Sequence, residues 1–303
     1  MSLLLRTSLL LTLSLLGPAM AQDKKPAITL QQEVATRDDA AAERLGFRLA
    51  VQSWTFRDRT ACEAIETAHN LGLKYIELFP GQKLSPTTGD ASVGVGMKDE
   101  HLQLLLKSFA QNQIKVVNFG VVDMPNDEPT LQALFAFGHA LGIETFSCEP
   151  AKDAWPLVEK MCQQHSINAA CHNHPKPSTY WNPETVLGLI KGMSNRVGAC
   201  ADTGHFPRSG LDPVQCLSQL KGRIISLHFK DIAPADKTGI DLPWGTGKSN
   251  ARGQLEVLRQ QGFRGAISIE YETGAGAELE ANVTKCIAWF DNTCRAIETK
   301  AGK

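Results

Sequence analysis

The 303-residue chain carries 31 Lys and Arg against 32 Asp and Glu, a formal net charge of −1 with the signs mixed along its length. That balance argues against the electropositive face a nucleic-acid backbone requires and carries no special membrane-surface signal. At 43% hydrophobic residues and this length, the chain can bury a substantial core.

The opening MSLLLRTSLLLTLSLLGPAMAQ reads as a secretory signal over residues 1–21. Arg6 supplies the positive start, the Leu-rich run to Leu16 the apolar stretch, and Ala19-Met20-Ala21 the cleavage site. The apolar run is too short to span a bilayer stably. No cysteine follows the cleavage site, so no lipid anchor is expected, and the mature protein is expected to be periplasmic or secreted. Residues 22–45 are polar and rich in Ala, Gln and Asp, and are expected to form a tether. No linker composition interrupts the remainder, which predicts a single domain over 46–298 and a tail at 299–303.

From Phe47 onward, apolar strand-like runs alternate with amphipathic stretches of three- and four-residue periodicity. The strands are FRLAVQSW (47–54), KYIELF (74–79), IKVVNFGVV (114–122), IETFSCE (143–149), INAACHNH (167–174), RVGACAD (196–202), RIISLHFKD (223–231) and RGAISIEYE (264–272). Helical stretches such as EAIETAHNLGL, LQLLLKSFAQN and TLQALFAFGHALG lie between them, and LEANVTKCIAWFDNTCRAIE follows the last. Eight strand–helix units over about 250 residues predict an α/β fold, the (β/α)8 TIM barrel. An open doubly wound sheet is disfavoured because no G-x-G-x-x-G opens a helix after the first strand.

Eight cysteines in an exported chain invite disulfides. Their placement argues otherwise. Cys148, Cys171 and Cys200 sit inside apolar strand patterns, and Cys286 and Cys294 lie eight apart on a helix, roughly 12 Å of rise. Most are expected to be small buried apolar residues.

In such barrels the active site lies at the C-terminal ends of the strands. Glu149, Asp202, His228 and Glu270 end the fourth, sixth, seventh and eighth strands. Each has a structural reading: a salt-bridged rim residue, a turn cap, a core histidine, a partner for Lys230. Together they predict one divalent-metal site. Three carboxylates and an imidazole suit Mn2+, with Mg2+, Co2+ or Zn2+ as alternatives, and leave positions open for two adjacent substrate oxygens. Strands four and eight stand opposite each other, so Glu149 and Glu270 can serve as an acid/base pair on a sugar carbon. Strand alternation adds Glu77, His172, His174 and Lys230 to the inner face, where Glu77 and His172 are expected to bind substrate. His174 is expected to bind substrate or water, or to support a ligand from behind. Lys230 either holds a substrate oxygen or neutralises the carboxylates. Trp54 either stacks on a sugar face or plugs the core.

These residues resemble the xylose isomerase-like TIM-barrel group of sugar isomerases and epimerases, which includes tagatose 3-epimerase-like enzymes and inosose dehydratase. The resemblance spans about Leu49 to Trp289. It rests on the Glu-Pro ending strand four, Asp202-x-x-His205, His-Phe-Lys-Asp at 228–231 and Pro-Trp-Gly-Thr-Gly at 243–247. It implies metal ligation by Glu149, Asp202, His228 and Glu270, acid/base work by the two glutamates, and substrate binding by His205. His-x-Lys-Asp looks more like inosose dehydratase than like the ketose epimerases. The implied activity is isomerisation or epimerisation of a keto-sugar through an enediolate. A lyase or dehydratase of a 3-keto-glycoside or inosose is the alternative, since elimination replaces reprotonation when a leaving group sits next to the carbanion. A non-catalytic sugar-binding barrel is a third. Export, and a Gly245-Thr246-Gly247 loop short for a phosphate cradle, point to an unphosphorylated carbohydrate.

Overall fold

The computed structural model describes residues 35 and 37–301. Eight parallel strands form a closed ring: β1 (Phe47–Gln52), β2 (Tyr75–Leu78), β3 (Lys115–Met124), β4 (Thr145–Pro150), β5 (Asn168–His172), β6 (Val197–Asp202), β7 (Ile224–Phe229) and β8 (Gly265–Ile269). They are adjacent in chain order, and β8 pairs with β1 in the register Phe47–Gly265 through Val51–Ile269. One helix of each unit covers the outside: α1 (Ala61–Asn70), α2 (Asp99–Asn112), α3 (Glu128–Leu141), α4 (Trp155–His165), α5 (Pro183–Leu189), α6 (Pro213–Gln219), α7 (Ala251–Gln260) and α8 (Gly276–Ala301). The (β/α)8 barrel expected from the alternation is the fold found.

Local chemistry explains where these elements start and stop. Thr60 and Glu63 form a reciprocal capping box at the start of α1. The Asp127 carboxylate accepts from the Thr130 N–H at the start of α3, and Gly142 at φ +74° closes that helix in the left-handed region. The apolar stripe of α3 buries Leu131, Leu134, Phe135 and Phe137. Phe137 meets Phe119 of β3, and Phe135 meets Phe146 of β4, edge to face with ring centroids 5.1 Å apart in both pairs. The main core is this layer between strands and helices.

Inside the ring, polarity rises toward the C-terminal mouth. At the opposite end, Glu144 accepts from Arg48 at 2.7 and 2.9 Å and from Lys115 at 2.6 Å. Small side chains from Ala50, Val117 and Ala266 fill the next level, with Tyr75 packed against them. Glu77 and the site residues follow.

Several sequence boundaries move. The first strand ends at Gln52, and Trp54 sits in a 3-10 turn, Ser53–Phe56. The fifth strand ends at His172, leaving His174 in the loop beyond it. The expected tether over 22–45 is docked at its end: Ala40–Leu45 is helical with Ala41 and Ala42 buried, and Arg37 grips Asp291 of α8 at 2.7 and 3.1 Å. The expected tail at 299–303 is helical as far as Ala301. The signal segment at 1–21 lies outside the described residues. No helix among the described residues is long and apolar enough to cross a membrane. All eight cysteines are free thiols, and all except Cys62 are buried.

Candidate metal centre and active site

Two backbone staples aim the site residues. Thr203 follows β6; its hydroxyl accepts from the Lys230 N–H at 2.9 Å and donates to the Lys230 carbonyl at 3.0 Å. The Asn173 side chain clamps Asp202 by accepting from its N–H at 2.8 Å and donating to its carbonyl at 3.0 Å. Gly204 is needed where it stands, because a Cβ there would lie 2.7 Å from the Lys230 stem. Asp202 serves two ends at once. Its Oδ1 accepts from the N–H groups of Gly204 and His205 at 2.9 and 2.8 Å, while Oδ2 faces the barrel axis. The turn-cap reading of this residue holds for Oδ1, which leaves Oδ2 to the group at the barrel axis.

Four side chains converge there, with ligand-capable atoms within 4.8 Å of one another: His172, Asp202, His228 and Glu270. Glu149, His172 and His174 form a second group that shares His172. Of the expected set Glu149, Asp202, His228 and Glu270, three members therefore stand together. Glu149 stands one step back, accepting from His172 Nδ1 at 3.0 Å and from His174 Nδ1.

The hydrogen bonds behind the two inner imidazoles decide what they present. His228 Nε2 donates to Glu77 Oε1 at 2.9 Å, and His172 Nδ1 donates to Glu149. Each neutral ring then turns a lone pair inward. His228 Nδ1 faces Glu270 Oε2 at 3.2 Å, and His172 Nε2 faces Asp202 Oδ2 at 3.6 Å. Lone pairs opposed in this way repel unless a cation or protons lie between them. His172 Nε2 and His228 Nδ1 are buried and have no hydrogen-bond partner. That donor set, two imidazoles and two carboxylates, fits a divalent ion. Burial opposes charge on His172, but the neighbouring carboxylates of Asp202 and Glu149 outweigh it and lift it to about 9. Burial likewise opposes charge on His228, and its anionic neighbours push it well above the ordinary histidine range.

Lys230 completes the balance. Its fully buried ammonium lies 2.9 Å from Asp202 Oδ2, 2.7 Å from Glu270 Oε2 and 3.3 Å from Glu272 Oε2. Of the two roles left open for Lys230, the structure displays neutralisation. Burial raises the Glu270 carboxyl, but Lys230 and His228 outweigh that and hold it ionised. Glu149 is likewise raised by burial and brought down to about 2 by His172 and His174.

Glu77, expected to bind substrate, is corrected. It is wholly buried beneath the site, and its carboxylate accepts from His228, from Ser147 at 2.6 Å, from Ser268 at 2.8 Å and from Asn118 at 3.3 Å. It holds His228 in place. Above the cluster opens a cavity of about 330 Å³ walled by Trp54, Phe79 and Pro80 and floored by His172, His205 and Glu270, with His174 and Glu272 at its edge. Trp54 is 40% exposed and so is no core plug. His205 points Nε2 at Asp202 Oδ2, 3.5 Å away, and Arg208 donates to its Nδ1 at 3.2 Å.

Three features escaped the sequence reading. Arg208 and Asp241 reach the rim from a short helix and from the Ile232–Ala233/Ile240–Asp241 strand pair, and no local pattern marks them. Asp231 was legible only as a letter in a motif. Its carboxylate accepts from the N–H groups of Gly245, Gly247 and Ser249 at 2.8, 3.0 and 3.0 Å. The loop considered as a phosphate cradle thus already holds an anion of its own chain.

Residues 147–293 match the family described as xylose isomerase-like TIM barrel. An inosose dehydratase of Mesomycoplasma hyopneumoniae is 37% identical over 73 residues, 24% of this chain and 24% of that protein. The match thus spans about a quarter of the length of that relative. Among solved structures, an uncharacterized protein from Parabacteroides distasonis is 29% identical, covering 82% of this chain and 99% of its own, with a TM-score of 0.67. An L-ribulose 3-epimerase, 14% identical with a TM-score of 0.65, shares the fold over 84% of this chain and 97% of its own. So does a xylose isomerase-like TIM barrel protein from Mycobacterium smegmatis in complex with magnesium, 13% identical with a TM-score of 0.64 over 82% and 97%. Every member of both candidate metal groups lies inside 147–293, the stretch that matches the xylose isomerase-like TIM barrel family.

Proposed function

We propose that this chain is an exported, divalent-metal-dependent isomerase or epimerase of an unphosphorylated keto-sugar, using Glu149 and Glu270 to move a proton at the carbon beside the carbonyl. The observation that carries this reading is the pair of imidazoles tied from behind by carboxylates, their lone pairs aimed at Asp202 and Glu270 on the floor of an aromatic-walled cavity. His172, Asp202, His228 and Glu270 would hold the metal, with Glu149 adjoining through His172. When bound, the ion polarises a substrate carbonyl and acidifies the neighbouring C–H.

The protein groups do the rest. Glu270 on the β8 side and Glu149 on the β4 side are both held ionised, so each can accept a proton from its own side of the ring. The opposite glutamate, once it has taken a proton from solvent, delivers it to the other face and inverts the carbon, while the abstracted proton leaves the first glutamate to solvent. Trp54 and Phe79 offer apolar edges to a sugar face, and His205, its Nδ1 engaged by Arg208, presents Nε2 toward the cavity floor. The likeness to an inosose dehydratase supports a second reading, elimination, when the substrate carries a leaving group beside the carbanion.

The test is metal content followed by deuterium uptake from D2O into ketoses, inososes and 3-keto-glycosides, with and without chelator. Uptake next to the carbonyl that chelation abolishes, and that Glu270→Gln lowers by at least about a hundredfold, is the expected result. Bound metal with no uptake into any of these sugars would sink the proposal.

A further inference from the structure

The wall of the reaction cavity is also the wall of a second one. Trp54 and Phe79 pack edge to face, ring centroids 5.1 Å apart and planes at 83°, and line both the cavity above the metal group and a neighbouring groove of about 520 Å³. The partition is held from three sides. Gln52 accepts from the Trp54 N–H at 3.1 Å and donates to the Gly120 carbonyl at 3.0 Å. Arg57 lies over the Trp54 ring at 5.6 Å while donating to the Trp54 carbonyl at 3.3 Å and the Glu272 carbonyl at 3.0 Å. Ser53 donates to Gln82 at 2.8 Å, joining the turn to the loop after β2.

The groove's chemistry is that of a polyhydroxylated neutral ligand. Its charges are mixed, so it is selective neither for an anion nor for a cation. Arg59 is engaged by Glu280 at 2.5 Å, and Glu63 by the Thr60 cap, while Asp58 and Lys83 make no ion pair among the described residues. An aromatic edge beside free donors and acceptors is what a sugar ring needs on its faces and its hydroxyls. We propose that this groove is a second carbohydrate subsite, taking the distal ring of a glycoside whose reacting ring lies over the metal group. The substrate class is therefore a glycosidically substituted keto-sugar rather than a free monosaccharide. This rests on the reading of the main cavity as the sugar-reacting site.

Binding to the Mn2+-loaded full chain, measured by calorimetry with unreactive sugars, separates the two readings. A panel of α- and β-linked glucose disaccharides is compared with glucose. At least one disaccharide is expected to bind about tenfold tighter, the worth of a few new hydrogen bonds and partial burial. Lys83→Trp, which fills the groove from an exposed position, should erase that increment and leave glucose affinity within about twofold; Asp58→Ala should reduce it about threefold. If no disaccharide binds better than glucose, or if both variants weaken glucose equally, the subsite is overturned. Size-dependent binding without deuterium uptake overturns the enolisation reading and keeps the groove. Uptake without size dependence does the reverse.

Discussion

Lys230 is the residue whose role depends most on its surroundings. A wholly buried ammonium is costly unless paired, and here three carboxylates pair it. The same Asp202 and Glu270 oxygens face the lone pairs of His172 and His228, so Lys230 and a bound divalent ion would draw on one set of charges. Lys230→Met should destabilise the metal-free protein by about 3–5 kcal/mol, because it leaves two buried carboxylates short of a counter-charge. Added Mn2+ should recover most of the loss, and the variant should bind the ion more tightly than the wild type. Urea midpoints with and without Mn2+ measure both effects. Equal midpoints for the two metal-free proteins would mean that the ammonium neutralises nothing. Strand alternation in His228-Phe229-Lys230 placed this side chain on the inner face, but its depth follows from the approach of Glu270 and Asp202 from other strands.

Among the elements, the loop after the Ile240–Asp241 strand shows how a motif acquires its meaning. His-Phe-Lys-Asp and Pro-Trp-Gly-Thr-Gly stand more than ten residues apart, yet Asp231 joins them by accepting three backbone N–H groups of the loop. Gly247 is required by that closeness, since a Cβ would sit 2.3 Å from Asp231 Oδ1. Asp231→Ala orphans these donors and should cost about 3 kcal/mol, the worth of hydrogen bonds to a charged group. Amide exchange at Gly245, Gly247 and Ser249 should accelerate well beyond that of α7. Unchanged exchange at these three amides would show that the carboxylate does not hold the loop. The sequence marked this loop as rich in glycine, which suits both an anion nest and a tight turn; only the occupant distinguishes the two.

At the scale of the whole molecule, the two ends of the barrel carry different polar networks. The candidate metal group lies at the C-terminal mouth and the Arg48–Glu144–Lys115 network at the other end. Arg48's hydrogen bonds, with help from Lys115 and against partial burial, bring the Glu144 carboxyl from about 4.5 to about 2. A carboxylate lowered on folding contributes stability above its unfolded value and loses it as pH falls toward its folded one. The difference in denaturation midpoint between wild type and Glu144→Gln should therefore be greatest above pH 5 and shrink from about pH 4.5 downward. A gap that widens on acidification would contradict this. The pair is partly exposed, so the effect should also weaken with salt.

The sequence by itself determined the eightfold strand–helix alternation, the closed barrel and the gathering of polar residues at the C-terminal strand ends. These follow from local periodicity, which records the face a side chain takes in a strand or helix. Tertiary structure decided depth and partnership. It set His172 beside Asp202, His228 and Glu270, put Glu149 behind it, and sank Glu77 below the site as the anchor of His228. It also made Trp54 a partition between two cavities by ending β1 at Gln52. Alternation cannot supply these placements. They depend on register and tilt between strands far apart in the chain, which bring Glu77 and His228, 151 residues apart, to 2.9 Å.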